Sequence, residues 1–568
     1  MINGARMVLE CLYRVGVTDI FGYPGGAVIP IYDEIYSFPK IKHYFARHEQ
    51  GASHEADGYA RVSGKVGVCL ATSGPGATNL VTGIMTAQMD SVPMLAITGQ
   101  VRSQLLGKDA FQETDIVGIT SPITKMNYLV KNIKEIPRII KEAYYIAQTG
   151  RPGPVLVDIP NDIQLQEISM EEFNKLFSKD ISLEGYSPNY DGHQGQIKKA
   201  LRFIKEAKKP LIIAGAGILK SNASQELYEL AKKIQSPVAM TLLGLGAYPG
   251  MDELSLGMIG MHGLAAANFA TDEADLVIAA GIRFDDRIAG NPTKFCEKAK
   301  IIHIDIDPAE IDKNKKIEVP IVGDLKSVLT EINKEVVSKE NKEWVETIKN
   351  WKKEYSLIHN EVGEDKLLPQ EVLKELDSIL KGEGIIVTDV GQHQMWTAQY
   401  LTYQNPNSIV TSGGAGTMGF GVPAAIGAQV GAPTKKVVLV VGDGGFQMTF
   451  QELMMLKQYN LPVKILIINN SFLGMVRQWQ ELFKNKRYSS VNLEINPDFV
   501  KIAEAYGVTS ARLKTKEDLK TKLKDLIMSN EGVVIDCVVE REENVFPMIP
   551  AGKTVSDMIG KKGVLEND

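Results

Sequence analysis

The chain has 568 residues, more than one hydrophobic core usually serves, so three or four domains of ordinary length are expected. Hydrophobic residues make up 44% and charged residues 23%, with a formal net charge of only -6. That is the composition of a globular protein with no bulk field to draw in nucleic acid or a membrane surface.

Taken in chain order, Met1 to Val17 reads as a helix in which Arg6, Glu10 and Arg14 interrupt the apolar residues, unlike the unbroken stretch of a signal peptide. A strand from Val66 runs into the small-residue turn Thr72-Ser73-Gly74-Pro75-Gly76, and a helical stretch then leads to Pro93 and a strand through Ile97. Pro154 to Asp158 is another β-branched strand, followed by a polar, irregular connection from Gln166 to Gly192. Strands recur at Pro210 to Ala214 and Leu276 to Ala279, before a Lys/Glu-rich connection, Lys326 to Lys366, expected to hold a solvated helix. Val390 to Thr434 contains no Asp, Glu, Lys or Arg, but is too often punctuated by Gln, Ser, Thr, Gly and Pro for a bilayer span, and reads as protein interior. Val437 then runs through Gly442-Asp443-Gly444-Gly445 and a helix from about Phe450 to Pro462 and Ile468, repeating the pattern around residue 74. Cys11, Cys69, Cys296 and Cys537 lie far apart and mostly in apolar runs, as buried thiols would in a reducing compartment, so the cytoplasm is the expected location.

This alternation predicts an α/β fold of three doubly wound parallel-sheet domains, at 1–165, 190–326 and 367–545, with a C-terminal lid or tail at 546–568. Two domains of one pattern invite a ligand held between them.

The strongest chemical signal is Gly442-Asp443-Gly444 at one strand end, followed one βαβ unit later by Asn469-Asn470. Parallel sheets bind ligands at that edge, and glycines let the backbone approach a diphosphate. Asp443 and the Asn470 amide oxygen are hard ligands suited to Mg²⁺, with a backbone carbonyl at Phe472 able to complete the set. Gly-Asp-Gly alone is often a plain turn; the pair of motifs at this spacing is the thiamine diphosphate signature.

With that signature the whole chain resembles the catalytic large subunits of the acetohydroxyacid synthase (acetolactate synthase) family. The likeness rests on Phe21 to Gly26, Arg47 to Gly51, Gly74 to Asn79, Ala110 to Asp115, Gly260 to Gly263, Arg283 to Arg287, Val390 to Trp396 and Leu473 to Trp479, in the family's order. It implies decarboxylation of pyruvate and condensation of the remaining two-carbon unit with a second pyruvate or with 2-oxobutyrate. It assigns Glu49 to the aminopyrimidine, with Gln112 and Gly26 lining the site and Arg287 and Trp479 receiving the acceptor. Gln392, His393, Gly416, Met418, Gly444, Gly445, Gly474 and Met475 would surround the cofactor, Met418 propping its bent shape.

The resemblance further implies FAD held by Arg151, Gly215, Gly217, Thr241, Leu242, Met261, His262, Gly263, Arg283, Asp285, Asp305, Ile306 and Asp324. It implies at least a homodimer, and association with a small regulatory subunit. Pro547 to Gly552 would form the lid. A flavin-using pyruvate oxidase and a nicotinamide dehydrogenase are the competing readings. One departure is Asn161, between Pro160 and Asp162, where the family commonly carries Lys.

Overall fold

Long Val/Ile/Leu runs such as Val437–Gly442 and Pro154–Pro160 are buried along their whole length, because each lies in a parallel sheet covered by helices on both faces. The computed structural model describes residues 1–357, 362–560 and 563–564. The lid segment expected at 546–568 therefore lies in part outside the described residues.

In the first sheet, β1 (Asp19–Gly22), β2 (Lys42–Phe45), β3 (Gly67–Ala71), β4 (Met94–Gln100), β5 (Met126–Leu129) and β6 (Pro154–Pro160) are arranged β2-β1-β3-β4-β6-β5. The middle sheet comprises β7 (Pro210–Ala214), β8 (Val238–Met240), β9 (Ser255–Met258), β10 (Leu276–Ala280), β11 (Lys300–Asp305) and β12 (Val319–Val322), in the order β9-β8-β7-β10-β11-β12. The third contains β13 (Ile385–Thr388), β14 (Ile409–Val410), β15 (Val437–Gly442), β16 (Lys464–Asn469), β17 (Thr509–Leu513) and β18 (Val533–Val538), in the order β14-β13-β15-β16-β18-β17. Every pairing within these sheets is parallel. The first and third sheets share one strand order, which confirms the repeat read from the sequence. The middle sheet has the order of dinucleotide-binding doubly wound folds.

Two expectations are corrected. The helix in the Lys/Glu-rich connection, Lys342–Glu354, is not wholly solvated, because Trp344, Ile348 and Trp351 recur at helical spacing and are buried, with the Trp344 indole N–H donating to the Pro210 carbonyl at 2.9 Å. The helix expected from about Phe450 begins directly at the strand end as Asp443–Thr449, turns through Phe450–Glu452, and resumes as Leu453–Tyr459.

The first and third domains meet where the helices Glu49–Ser63 and Gly421–Gly431 cross backbone against backbone. A Cβ on Gly58 would lie 2.1 Å from the Ala424 carbonyl oxygen, and one on Gly427 only 1.8 Å from that of Glu55. Among the described residues all four cysteines are free and buried, and no helix is long and apolar enough to cross a membrane.

Gly427→Ala is expected to destabilise the protein by about 3 kcal/mol, the upper end of ordinary overpacking, because backbone rather than a movable side chain must give way. A lowered midpoint in urea unfolding measures it; an unchanged midpoint would contradict the close crossing.

Candidate active site

β15 and β16 are neighbours in register, Gly442 pairing with Ile468, so Asp443 and Asn470 emerge side by side at the carboxyl edge of the third sheet. There they border a cavity of about 720 Å³ whose wall also includes Gln392, His393, Gly416, Met418, Gly444, Gly445, Phe472, Gly474, Met475 and Trp479. The sequence-assigned residues of this edge therefore share one cavity.

Glycines shape it by exclusion. The His393 ring is wedged between Gly391 and Gly442, where a Cβ at either position would come within 2.9 Å of a ring atom. At Gly474 a Cβ would strike the Gln392 and Asn470 amides. Gly416, at φ 65°, turns the chain toward Met418, a backbone shape that favours glycine. Asp389 holds the same turn from below, accepting the Gly419 and Gly421 amides at 3.1 and 2.8 Å.

The electrostatics suit a hydrated anion and a hard cation. Burial pushes the His393 pKa down to about 3, and with one ring nitrogen on the Asp389 carbonyl, Nε2 has no protein partner. A nearby diphosphate would favour its charged form. Burial also pushes the Asp443 carboxyl up to about 6, although its Oδ2 accepts from the Asn496 amide at 2.7 Å. Asn470 Oδ1 accepts the Phe472 N–H at 3.2 Å, and its Nδ2 donates to Gln392 Oε1 at 3.3 Å. Among the described residues no three His, Cys, Asp or Glu side chains cluster as a metal cage. One carboxylate and one amide oxygen nevertheless fit Mg²⁺, which commonly takes its remaining ligands from phosphate and water.

The cavity continues into the middle domain, where Thr241, Leu242, Met261, His262, Arg283, Asp285 and Arg287 line it. Arg283 also borders a second cavity, of about 190 Å³, with Arg151, Gly217, Asp305, Ile306 and Asp324. Both cavities sit where the loops after β7 and β10 diverge, the point at which the strand order reverses. Gly215 and Gly217 are needed because a Cβ on either would run into the Gly281 backbone, at 2.1 and 2.7 Å. Gly263 turns tightly through its N–H to the Gly260 carbonyl, just outside the lining, beside His262 whose Nδ1 has no protein partner. Arg151 bridges Ser91, Asp307 and Glu310 at 2.7 to 3.1 Å. Arg287 is largely exposed beside Asp286, and Trp479 packs edge-on against Phe483.

Glu49 and Gln112 are not in this cavity, to which the first domain contributes Met89. They stand instead at the carboxyl edge of the first sheet. Glu49 Oε2 accepts from Asn79 at 2.9 Å, and its Oε1 lies 3.1 Å from where a Gly76 Cβ would be. Gln112, at φ 58°, packs its backbone against Gly74, and exposed Gly26 lies on the loop after β1. Asn161 opens the helix Asn161–Leu165, and the adjacent Asp162 accepts from the Ser103 amide and hydroxyl, away from the cavity lining.

Sequence reasoning missed Asp389 and Gln478. Asp389 stands at a strand end as Asp443 does, a signal that was available. Gln478 was hidden in a helix motif whose pattern says nothing of which side chains are buried.

The duplicated sheet, its two loaded edges and the dinucleotide-type domain between them define a thiamine diphosphate-dependent α/β enzyme. Residues 2–119, 197–332 and 389–537 match the N-terminal TPP binding, central and C-terminal TPP binding domains of thiamine pyrophosphate enzymes. The chain is 48% identical to the acetolactate synthase large subunit of Buchnera aphidicola subsp. Schizaphis graminum, over 98% of each chain. It is also 48% identical to that of Lactococcus lactis subsp. lactis, over 100% of this chain and 97% of the relative. A probable acetolactate synthase large subunit of Methanocaldococcus jannaschii is 48% identical over 98% and 95%. The chain belongs to the acetolactate synthase large-subunit family of thiamine pyrophosphate enzymes.

Asp443→Ala is expected to weaken Mg²⁺ and thiamine diphosphate binding together, because Asp443 is the carboxylate at this edge that would hold the ion beside the diphosphate. Calorimetric titration with and without chelator checks it; normal cofactor binding by the metal-free variant would refute the assignment.

Proposed function

We propose that the chain decarboxylates pyruvate and joins the remaining two-carbon unit to a second pyruvate or to 2-oxobutyrate, yielding 2-acetolactate or 2-aceto-2-hydroxybutyrate at the first common step of branched-chain amino acid synthesis. The C1–C2 bond of the donor breaks and CO₂ leaves; the electron pair left on C2 forms the bond to the acceptor carbonyl carbon, whose oxygen takes a proton. The observation carrying this reading is the pair of like-ordered sheets, with Glu49 at one carboxyl edge and His393, Asp443 and Asn470 at the other.

Thiamine diphosphate, when bound, supplies the electron sink for decarboxylation. His393, Gly444, Gly445, Asp443 and Asn470, with a Phe472 carbonyl, would hold its diphosphate and Mg²⁺, while Gly416, Met418 and Met475 shape the space beside them. Glu49, its carboxylate oriented by Asn79, would be the group that holds or passes a proton at the aminopyrimidine end of the cofactor. Since Glu49 and Gln112 lie outside the cavity of their own chain, a second copy is the natural source of that half, so a homodimer or larger assembly is part of the proposal. The relatives are named as large subunits, which supports a smaller regulatory companion.

FAD is proposed for the middle domain. The switch-point cavities, the close glycines at 215 and 217 and the unpartnered His262 Nδ1 support it. The condensation written above balances without an oxidant, so FAD held there would not need to change its redox state.

The test is an assay of purified protein with pyruvate alone and then with 2-oxobutyrate, with and without each cofactor and without oxygen. Acetolactate formation dependent on thiamine diphosphate and Mg²⁺ is expected; stoichiometric flavin bleaching without acetolactate would favour a pyruvate oxidase instead. Glu49→Gln should leave folding intact and slow deprotonation of the cofactor's thiazolium C2 by about 10² to 10⁴, the range of positioned proton transfer. Near-native hydrogen–deuterium exchange at C2 would refute that role.

Trp479 is assigned the apolar wall against the acceptor's alkyl tail, and Arg287 the planar fork for its carboxylate. One methylene against such a wall gives about 1 to 3 kcal/mol of preference. Trp479→Ala should therefore abolish most discrimination between the two acceptors while acetolactate formation survives. Competition of both acceptors in one tube measures the product ratio, which would stay unchanged if Trp479 merely packs.

A further inference from the structure

The segment that leaves the third sheet for the C-terminus is tied to the candidate metal edge through two buried amides, Gln392 and Gln478. Gln478 lies on the helix Gly474–Phe483 and is fully buried. Its Oε1 accepts from Gln392 Nε2 at 2.9 Å and from the Val545 N–H at 2.8 Å, and its Nε2 donates to the Val545 carbonyl at 3.0 Å. Gln392 in turn donates to the Glu543 carbonyl at 2.9 Å and accepts from Asn470. A continuous run of hydrogen bonds therefore leads from Asn470 through Gln392 and Gln478 to Val545.

Beyond Val545 the chain returns to the middle domain. The Ile549 N–H donates to the Met261 carbonyl at 2.8 Å, and Met548 and Ile559 exchange backbone bonds at 2.7 and 2.9 Å. Met261 borders the large cavity, so this segment touches the site from both ends. Arg477, also fully buried, binds the Glu542 carbonyl and the Asn544 side chain at 2.9 and 2.6 Å without reaching Gln392.

We propose that Gln478 is a positioning residue that couples the seating of the C-terminal segment, from Val545 to Ile559, to occupation of the diphosphate and metal edge. The physical reason is that its amide is used in both senses at once. Any shift of Gln392 or Asn470 that accompanies ligand binding must move Gln478 Oε1, and with it the Val545 backbone, or leave a buried donor unpaired. Gln478 bonds both Gln392 and the Val545 backbone, whereas Gln392 itself reaches the segment at the Glu543 carbonyl. The proposal rests on the reading of this edge as a thiamine diphosphate and Mg²⁺ site.

The test uses the full-length protein. Tryptic cleavage after exposed Lys553 and amide exchange over residues 542–548 are followed with and without thiamine diphosphate plus Mg²⁺, and binding is measured independently by calorimetry. In the unaltered chain, loading should slow cleavage about 5-fold or more, the lower end of ordinary coupling between sites, and should slow exchange at Val545. In Gln478→Met the protection should vanish and the Mg²⁺ half-saturation should rise about 10-fold, as for loss of an outer partner of a metal ligand. Gln478→Glu, which keeps the acceptor roles and loses the donor, should recover part of both. Full protection in Gln478→Met overturns the proposal. If that variant does not fold, exchange in the unaltered chain decides, and bound cofactor without slowed exchange over 542–548 overturns it. Absence of any binding in calorimetry would instead overturn the cofactor reading, and the coupling with it.

Discussion

The backbone contact between the helices Glu49–Ser63 and Gly421–Gly431 is the constraint on which the rest of the structure depends. Gly58 and Gly427 leave each helix a face with no side chain at the crossing, so carbonyl oxygens of one helix occupy space that a Cβ of the other would need. This contact fixes the first and third sheets relative to each other. Next to it, partly buried Arg61 joins Asp57 and Asp90 at 2.5 and 2.8 Å, and Asp90 accepts the Gly413 and Gly414 amides of the third domain. Thr86 and Thr417 hydroxyls meet at 2.7 Å along the same seam. The turn that carries Gly416 and Met418 is therefore held from two sides, by Asp389 of its own domain and by Asp90 of the first.

From that arrangement follows the division of labour at the site. A parallel sheet presents its ligand edge where the carboxyl ends of the strands meet helix beginnings. Two like-ordered sheets give two such edges, one loaded with Glu49 and Gln112, the other with His393, Asp443 and Asn470. Joining them through helices rather than edge to edge leaves each edge open in its own chain, which is why a second copy enters the functional reading. The middle sheet differs in strand order, and its switch point opens on two sides, toward the third domain in the larger cavity and toward the first in the smaller.

The energetics of the site turn on buried polar groups left unpaired. His393 Nε2, His262 Nδ1 and the Trp396 indole N–H are buried without protein partners, and burial raises the Asp443 carboxyl pKa to about 6. Buried polar groups cost free energy while unpaired, and a charged partner that pairs them offsets that cost.

Much of this was legible in the residues alone. Alternating β-branched strands and helical stretches specify parallel α/β domains because strands buried on both faces must be continuously apolar. The recurrence of one strand–turn–helix pattern announced the duplicated sheet, and Gly442-Asp443-Gly444 with Asn470 marked the loaded edge, since their spacing of one βαβ unit puts a carboxylate and an amide oxygen at neighbouring strand ends, which the glycine turn alone does not. Tertiary structure decided what periodicity cannot carry. The solvated helix at Lys342–Glu354 became a docked one because three apolar side chains outweigh many charged ones when they share a face. The helix after Gly442 starts at once, in a turn where a Cβ on Gly445 would meet the Asp389 carboxylate and one on Gly442 the His393 ring, neighbours that local propensity does not encode. Which amides of the Gly474–Phe483 helix turn inward, and that Glu49 stands apart from the cavity of its own chain, follow from how domains dock. Docking is decided by contacts between residues hundreds of positions apart, and these leave no spacing in the sequence to be read.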